Sequence, residues 1–296
     1  MSGIAFLFCC DYFDKTQPDS DYAEEYDYLK KRAVATYLFS LEDFQKDNTL
    51  RIAPSGGMTT LIYRGWMITA EQYGVLYDAL FDKGFRLINA PEQYRQCHHL
   101  PAWYGLLADN TAESVWTDGV PDEQEVLKLL KIFGNKPIIV KDYVKSRKHE
   151  WNDACFIPGA ADIEKALQIV KNFVSRQEDD LVGGVVLREY LPLQMLGKHE
   201  KSLMPIAKEV RIFCYRHRPF AYIQYWSGEK CSSISEFQGL IQLCSRLDSN
   251  FYTIDIAQQE NGEWAIIEVG DGQVSGLQDC NAELFYDELL KVFEQE

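Results

Sequence analysis

The sequence lacks the cysteine pattern of a disulfide-stabilised protein or of a structural zinc site. Its eight cysteines are scattered along 296 residues without a repeated Cys-x-x-Cys spacing. Small secreted domains carry dense cysteine frameworks, and structural zinc sites need closely spaced ligand pairs. We therefore expect free thiols in a reducing compartment, and the predicted location is the cytoplasm.

Long hydrophobic runs are also missing. The apolar stretch from Ile4 to Cys10 has no basic flank and runs directly into Asp11 and Asp14. A membrane-spanning helix needs about 20 predominantly apolar residues. The stretch therefore indicates a buried first strand rather than a signal peptide or a membrane span, and we expect no membrane partner.

Positive charge is scarce, with 30 lysines and arginines against 45 aspartates and glutamates and a formal net charge of −15. Such a surface repels nucleic acids and anionic membranes except at a local basic patch. One basic patch places four cationic side chains within eight positions: Lys141, Lys145, Arg147 and Lys148. Against an acidic background this patch favours a small anion and argues against nucleic acid as a partner.

The order of predicted strands and helices divides the chain into two units. A strand, helix and strand within residues 1–110 predict an N-terminal α/β domain, and Thr69 to Gln72 has the spacing of a capping box at its helix. The polar stretch from Thr111 to Asp122 contains a glycine and a proline and is predicted to be a linker. Residues 111–296 form the second unit, and the predicted fold class is α/β.

A β-hairpin is predicted within residues 251–272, where two apolar runs flank Asn261-Gly262. If these two residues form the loop, counting outward places Asp255 directly opposite Glu268. Facing like charges destabilise a strand pair, so a bound cation is the economical explanation. Asp271 follows the strand, and three oxygen-bearing side chains suit Mg²⁺. The alternative is an exposed sheet face on which two acids tolerate each other.

Other predicted strands end at polar or charged residues. The strand Ile138–Lys141 leads into the basic patch, and the apolar strand Val185–Leu191 stops at a proline. Period-two alternation places Glu209 and Arg211 on one face of a later strand. The alternative for Lys141 is a solvated strand end. For Glu209 and Arg211 it is a surface ion pair worth about 0 to 1 kcal/mol.

In their order along the chain, these features resemble the ATP-grasp superfamily, whose members hold Mg-ATP between two α+β subdomains. The resemblance runs from about Pro137 to Gly276, and the N-terminal unit fits the domain that usually precedes in this family. It implies ATP and Mg²⁺ as cofactors and a hinge near residues 187–192, between the two subdomains of the unit 111–296.

The resemblance also implies roles for individual residues. Lys141 and Lys145 would contact nucleotide phosphate, and main-chain groups of Glu189 and Leu191 would meet the adenine edge. In the pattern Glu209-Val210-Arg211, the arginine would meet the terminal phosphates and the acyl phosphate being formed. Arg211 and Lys145 would therefore be the catalytic cations, with Glu209 beside the nucleotide.

Two departures from the superfamily pattern concern the metal and the phosphate loop. Asp255 and Glu268 match the metal pair, but Gly270 occupies the place of the usual asparagine ligand, and Asp271 is predicted to replace it. Residues 146–153 contain no glycine, so the usual glycine-rich loop is missing. The basic loop in its place resembles a divergent branch, found in bacteria and phages, that is defined by one arginine and two lysines. A more distant resemblance is to a eukaryotic ATP-grasp factor that assists assembly of a translation-initiation complex.

Two further positions leave alternatives open or suggest a different site. Arg188 lies where relatives often carry an acidic or amide residue, and it could contact phosphate, substrate or only Glu209. Cys97-His98-His99 suggests a metal site at first sight. Adjacent side chains point apart, however, and no other ligands have usable spacing, which argues against that metal site.

The chemistry implied by the resemblance is phosphoryl transfer from ATP to a carboxylate, followed by attack of an amine on the acyl phosphate. Both steps need positive charge around oxygens that gain charge, so no protein nucleophile is required. We expect a carboxylate–amine ligase with an unidentified donor and an acceptor that is a peptide, a protein or a small amino compound. The alternatives are an ATP-binding assembly factor or chaperone without turnover, and a phosphotransferase or nucleotidyltransferase.

Overall fold

The computed structural model describes residues 4–198, 205–227 and 234–295. Within these residues the strands form three four-stranded sheets and one two-stranded ribbon. The six cysteines described as free thiols include Cys9 and Cys10, which are buried in the first strand region as predicted for inert thiols. In this part of the chain no helix is long and apolar enough to cross a membrane.

The N-terminal sheet is parallel and has the strand order β2-β1-β3-β4. The apolar residues of its central strands are almost inaccessible to water, as expected for strands covered on both faces. The strands are β1 (Ile4–Cys9), β2 (Thr36–Phe39), β3 (Thr59–Arg64) and β4 (Phe85–Leu87).

Five helices belong to this N-terminal part: α1 (Ala23–Lys31), α2 (Leu41–Asp47), α3 (Ala70–Phe81), α4 (Pro91–His98) and α5 (Leu100–Leu107). The predicted capping box at the start of α3 is confirmed, because Thr69 and Gln72 bond reciprocally to each other's main chain. The predicted elements did not include α2, α4 and α5. Each has only seven or eight residues, too few for a clear helical repeat.

The middle sheet is antiparallel and has the order β5-β8-β6-β7. Its elements are β5 (Ser114–Trp116), α6 (Glu123–Phe133), β6 (Ile138–Lys141), α7 (Trp151–Ala154), β7 (Phe156–Ile157), α8 (Ile163–Gln177) and β8 (Val186–Glu189). The prediction that residues 111–122 are only a linker is wrong, because β5 lies within them and pairs with β8. Three residues with polar flanks give too little alternation to predict such an edge strand.

The C-terminal sheet has the order β12-β11-β13-β14 and is antiparallel. The ribbon β9 (Met195–Lys198) and β10 (Pro205–Ala207) precedes it. The remaining elements are β11 (Glu209–Tyr215), β12 (Arg218–Gln224), α9 (Gln238–Leu243), β13 (Phe251–Gln258), β14 (Trp264–Asp271) and α10 (Ala282–Glu294).

The turn between β11 and β12 differs from the predicted loop at residues 217–219. Tyr215 pairs with Arg218, so the loop consists of Arg216 and His217, with φ of 44° and 62°. Two consecutive positive φ values are typical of a type I′ turn, which usually contains asparagine or glycine. The absence of those residues explains why the sequence pattern placed the loop one residue late.

The hydrophobic cores show which parts are packed together. Side chains of β1 and α1 share one core with β11, β12 and α10, including Phe6, Phe213 and Phe285. Residues between Val126 and Leu187 form a separate core inside the middle sheet and its helices. The N-terminal and C-terminal sheets are therefore joined, and the middle sheet faces them as a unit with its own interior. The division into 1–110 and 111–296 stays a prediction.

Candidate functional site

A cleft of about 500 Å³ lies between the middle sheet and the C-terminal sheet. One wall comes from β6, the loop after it and the end of β8, and the other comes from β11, β13 and β14. All ten residues predicted to form the site line this cleft: Lys141, Lys145, Arg188, Glu189, Leu191, Glu209, Arg211, Asp255, Glu268 and Asp271.

Asp255 and Glu268 lie directly opposite each other on β13 and β14, which confirms the predicted pairing. The connecting loop is different from the prediction. It contains three residues, Glu260-Asn261-Gly262, closed by a hydrogen bond between the flanking residues, and Gly262 has the positive φ (89°) such loops require. A β-bulge at Ile267 then restores the register, because one extra residue on β14 offsets the longer loop.

Asp255 forms a two-point ion pair with Arg211 of the neighbouring strand. Nε and Nη2 of Arg211 donate to the two carboxylate oxygens at 2.8 and 2.7 Å. Both side chains are at most 10% exposed. Burial opposes the charge of Arg211, but Asp255 outweighs this effect and raises the pKa of Arg211. Nη1 also donates to the Gly276 carbonyl at 2.9 Å, so the guanidinium is held in a fixed position in the cleft.

Glu268 forms an ion pair with Lys141, with 3.1 Å between Oε1 and Nζ. The Glu268 side chain is 41% exposed, so this pair lies open to the cleft. Burial acts to raise the pKa of Glu268, but Lys141 and Lys148 outweigh it and the pKa is lowered. The expectation that Asp255 and Glu268 face each other without compensation is therefore wrong. Each carboxylate has a cationic partner from another strand.

The basic loop after β6 sends its cationic side chains in different directions. Arg147 turns toward α8 and donates to the Arg176 carbonyl oxygen, whereas Lys145 and Lys148 line the cleft. Lys148 has no ion-pair partner within the described residues. Burial opposes its charge, but Glu268 and the other nearby acidic groups raise its pKa. The sequence placed Lys148 in the basic patch, but only the fold shows which members of the patch reach the cleft.

Glu209 is the third acidic side chain of the cleft wall and makes no ion pair or hydrogen bond in the described part of the chain. Burial raises the pKa of its carboxyl to about 7, and Asp255 and Glu268 add to this effect while Lys148 and Arg211 oppose it. The predicted ion pair with Arg211 is not formed, because Asp255 occupies that guanidinium.

The raised pKa of Glu209 predicts a pH-dependent stability difference. The folded protein retains a proton on Glu209 that the unfolded chain begins to release near pH 4.5, so this stabilisation is complete below about 4.5 and lost by about 7. Glutamine cannot release that proton. We therefore expect Glu209→Gln to gain stability relative to the unmodified protein as the pH rises through this window, measured by urea unfolding at several pH values. A pH-independent difference would contradict the assignment.

Arg188 is buried where the middle sheet meets β14. Burial lowers its pKa to about 10, with Glu268 opposing the effect. Its two terminal nitrogens donate to five oxygen atoms, at 2.8 to 3.4 Å, from Thr111, Ala112, Ser114, Ile266 and Ile267. Of the three predicted alternatives, the contact with Glu209 is not observed. The guanidinium instead joins β5 and β8 to β14 at the back of the cleft.

The segment after β8 has the features expected of a nucleotide hinge. The Glu189 carboxylate forms an ion pair with Lys136 at 2.9 Å, and the Tyr190 N–H donates to the Pro137 carbonyl. The Leu191 N–H has no hydrogen-bond partner within the described residues. A free main-chain donor beside apolar cleft residues can bind an acceptor on the edge of a planar base.

Asp271 is held by the N-terminal part of the chain. Side chains alternate along a strand, so Asp271 lies on the opposite face of β14 from Glu268. Its carboxylate accepts hydrogen bonds from Asn89 Nδ2 at 2.6 Å and from the main-chain and side-chain nitrogens of Gln273. Burial raises its pKa to about 6. The structure does not bring this carboxylate to Glu268.

Gly270, where a third metal ligand was expected, faces a pair of hydroxyl groups. A Cβ at this position would lie 2.7 Å from Thr253 Oγ1 and 2.9 Å from Ser275 Oγ. The two hydroxyls are 2.8 Å apart, and Ser275 Oγ donates to the Asp271 carbonyl at 2.8 Å. The space that an asparagine side chain would need is therefore closed by these hydroxyls.

His98 is a cleft residue that the sequence did not predict as one. It ends α4, which packs on β14, and its ring stacks on Tyr94. Burial lowers its pKa to about 3, so the imidazole is neutral at pH 7. Its ring nitrogens make no hydrogen bond within the described residues. Helical spacing from Tyr94 is the only sequence signal for its placement, and it does not reveal that the ring faces the cleft.

The acidic pair fits Mg²⁺ bound together with a nucleotide. Within the described residues, no group of three or more His, Cys, Asp or Glu side chains is arranged to hold an ion. Mg²⁺ usually takes one or two protein carboxylates and completes its coordination with water and phosphate oxygens. Asp255 and Glu268 satisfy that requirement without a third protein ligand, which removes the need for Asp271.

Three solved structures resemble this chain along nearly its whole length. The RimK-domain ATP-grasp protein from Sphaerobacter thermophilus has 13% identity and a TM-score of 0.60, covering 97% of this chain and 100% of that chain. D-cycloserine synthetase DcsG has 12% identity and a TM-score of 0.61, with 98% and 99% covered. The ATP-grasp ligase PsnB, solved with a minimal precursor, Mg and ADP, has 14% identity and a TM-score of 0.56, with 98% of both chains covered. At these identities the similarity shows the fold.

A comparison with curated proteins gives no sequence match. One family does match, over residues 131–289, and it is described as an ATP-grasp domain, family 3 of the clade with one arginine and two lysines. Together with the similar structures, this match confirms the predicted superfamily and fold class. Since the match spans more than half of the 296 residues, the chain belongs to this ATP-grasp domain family, the third of that arginine and two-lysine clade.

Proposed function

We propose that this protein is an ATP- and Mg²⁺-dependent carboxylate–amine ligase that acts through an acyl phosphate. The observation that carries the proposal is the composition of the cleft. Two carboxylates suited to Mg²⁺, Asp255 and Glu268, lie beside the cations Lys141, Lys148 and Arg211. A triphosphate with its metal needs both kinds of group in one place.

The nucleotide would lie along the cleft with its base at the hinge. The Leu191 N–H offers a free donor, and Ile139 and Ile267 contribute apolar surface from the two walls. The Glu189 side chain is engaged by Lys136, so its proposed contribution to adenine binding is restricted to the main chain. Glu209 lies between this end and Arg211 along the order of the strand.

The ion pairs in the cleft prepare it for a ligand that carries both signs of charge. Arg211 and Lys141 are each neutralised by a carboxylate. When phosphates arrive, these cations and the unpaired Lys148 and Lys145 would bind the phosphate oxygens. Asp255 and Glu268 would hold the metal, which supplies positive charge to the phosphate oxygens of the bound nucleotide. Fixed cations need little reorganisation when charge develops, which favours the transition state.

The proposed reaction has two balanced steps. In the first, a carboxylate oxygen of the donor bonds to the γ-phosphorus of ATP while the bond to the β–γ bridging oxygen breaks, releasing ADP. In the second, the acceptor amine attacks the acyl carbon, phosphate leaves, and the amine nitrogen loses a proton. Arg211 and Lys145 would stabilise the oxygens that gain charge, so no serine or cysteine nucleophile is needed.

The acceptor class remains open at the level of the fold. PsnB was solved with a precursor peptide, and D-cycloserine synthetase is named for a small product. We therefore propose a peptide, a protein or a small amino compound as the acceptor.

Product analysis with fractionated cell extract tests the proposal. We expect ADP and phosphate to form only when both a carboxylate and an amine compound are present. Release of pyrophosphate would indicate nucleotidyl transfer, and phosphate retained on the acceptor would indicate a phosphotransferase. Tight nucleotide binding without turnover in any fraction would favour an assembly factor. Lys148→Met should weaken Mg-ATP binding about tenfold, whereas Lys171→Met, at an exposed position on α8, is the matched control.

A further inference from the structure

The inner end of the cleft differs in chemistry from the part that faces the phosphates. The phosphate-facing part presents the cations Arg211, Lys141 and Lys148. Next to Gly270, however, the cleft wall consists of Thr253, Ser275 and the neutral ring of His98. These three residues are at most 8% exposed, so any ligand group that reaches them must be matched by hydrogen bonds.

The hydrogen bonds of the two hydroxyls determine what they can bind. Ser275 uses its only hydroxyl hydrogen to donate to the Asp271 carbonyl. Ser275 Oγ must then accept the contact at 2.8 Å, so the Thr253 hydroxyl is the donor in that bond. Both hydroxyl hydrogens are committed within the protein, and what the oxygens have left to offer is lone pairs. Gly270 keeps these oxygens uncovered, because any side chain there would collide with them.

His98 adds another acceptor to the same wall. A neutral imidazole has one protonated nitrogen and one nitrogen with a free lone pair. The ring is held by stacking on Tyr94, which in turn stacks on Tyr73. Its nitrogens have no partner within the described residues, although the side chain is more than nine-tenths buried.

We propose that Thr253, Ser275 and His98 form the subsite that binds the primary amine of the acceptor. A phosphate or carboxylate offers only lone pairs and would face lone pairs at the hydroxyls, which is unfavourable. An amine offers N–H donors and matches them. The inference rests on the proposed ligase function for the reason that an amine enters the cleft. It would also orient the reaction, since the acyl phosphate would lie at the cations and the amine at the opposite, acceptor-lined wall.

Fluorine NMR with 2,2,2-trifluoroethylamine tests the subsite without requiring the natural substrates. The probe is added to the protein with Mg²⁺ and a nonhydrolysable ATP analogue, and trifluoroacetate serves as the control compound because it has no N–H donor. We expect the amine signal to broaden on binding to the unmodified protein. Thr253→Val should weaken amine binding about tenfold, as expected for loss of one buried hydrogen bond, with nucleotide affinity unchanged.

Two further variants protect this test. His98→Phe keeps the aromatic stacking but removes the ring nitrogens, and it should weaken amine binding by a similar factor even if Thr253→Val does not fold. Thr36→Val makes the same substitution at a buried hydroxyl of β2 that lacks a hydrogen-bond partner in the described residues, and it should leave amine binding unchanged. Equal amine binding in the unmodified protein, Thr253→Val and His98→Phe would overturn the proposal, as would absence of amine binding to the unmodified protein.

The two proposals fail in different ways. If the amine binds and the variants weaken it, but no donor and acceptor pair releases ADP, the subsite stands and the ligase function is wrong. If amines stimulate ADP release and the variants leave the amine concentration for half-maximal rate unchanged, the ligase function stands and the subsite is wrong.

Discussion

Replacing Glu268 with glutamine is expected to abolish Mg²⁺-dependent ATP turnover while leaving the fold intact. The Glu268 side chain is 41% exposed and its ion pair with Lys141 lies open to the cleft, so breaking that pair should change the free energy of unfolding by about 1 kcal/mol or less. A metal contributes several kcal/mol to transition-state charge stabilisation, so loss of a ligand should slow turnover about 100-fold or more.

The matched variant Asp255→Asn should lose both activity and stability. Its carboxylate neutralises Arg211 inside the protein, where both side chains are at most 10% exposed. Breaking a buried ion pair by removing one partner leaves an uncompensated charge and costs about 3 to 5 kcal/mol. The two substitutions remove equivalent groups from one cross-strand pair, so the difference between them isolates the contribution of the buried partner.

Urea unfolding and isothermal titration with Mg²⁺ and a nonhydrolysable ATP analogue measure these effects separately. Full turnover in folded Glu268→Gln would contradict the metal role of this residue. Equal stability of the two variants would contradict the difference in burial. A loss of stability in both, with metal binding retained, would instead indicate that the acidic pair only supports the sheet.

The hairpin shows why a correct register can follow from incomplete reasoning. Asn261-Gly262 predicted a loop of two residues, whereas the observed loop has three and Ile267 forms a bulge. The two deviations cancel, so Asp255 still faces Glu268. Local sequence identifies the turn, because glycine supplies the positive φ. The bulge depends on how β14 packs, which a local pattern does not contain.

The cations of the site were only partly predictable for a related reason. Lysines and arginines near a strand end indicate an anion site, but their directions depend on contacts that are distant in sequence. Arg147 turns to α8 and Arg188 to the main chain of β14, whereas Lys148 enters the cleft. The partners of Arg211 and Lys141 come from strands more than 40 residues away. Composition therefore predicts the kind of site, and the tertiary fold selects its members.

His98 and Asp271 show the contribution of the N-terminal part. His98 belongs to a short helix without a strong pattern, and Asp271 is bound by Asn89 from the loop before that helix. The sequence resemblance covered residues from about 137 onward, so contacts from the preceding part had no template. Both residues connect that part to β14, one at the cleft and one behind it.

Arg64 provides the clearest test of this connection, since Arg64→Met is expected to lower the free energy of unfolding by about 3 to 5 kcal/mol. Arg64, at the end of β3, is 1% exposed and pairs through two nitrogens with the buried carboxylate of Glu25. Its third nitrogen donates to the carbonyl oxygens of Gly272, Gln273 and Ser275 at 2.9, 3.1 and 2.9 Å. Without it, a buried charge and three carbonyl groups lose their partner.

The double variant Arg64→Met, Glu25→Met separates the charge from the carbonyl contacts. Removing Glu25 as well eliminates the uncompensated charge, and apolar replacements of a buried ion pair are often neutral or stabilising. The carbonyl groups of the segment after β14 remain without their donor, so we expect recovery of only part of the loss in urea unfolding. Full recovery would show that Arg64 serves Glu25 alone. A loss below about 1 kcal/mol in Arg64→Met would contradict its role in joining β3 to the segment that carries Ser275, and with it the fixed position of the cleft's inner wall.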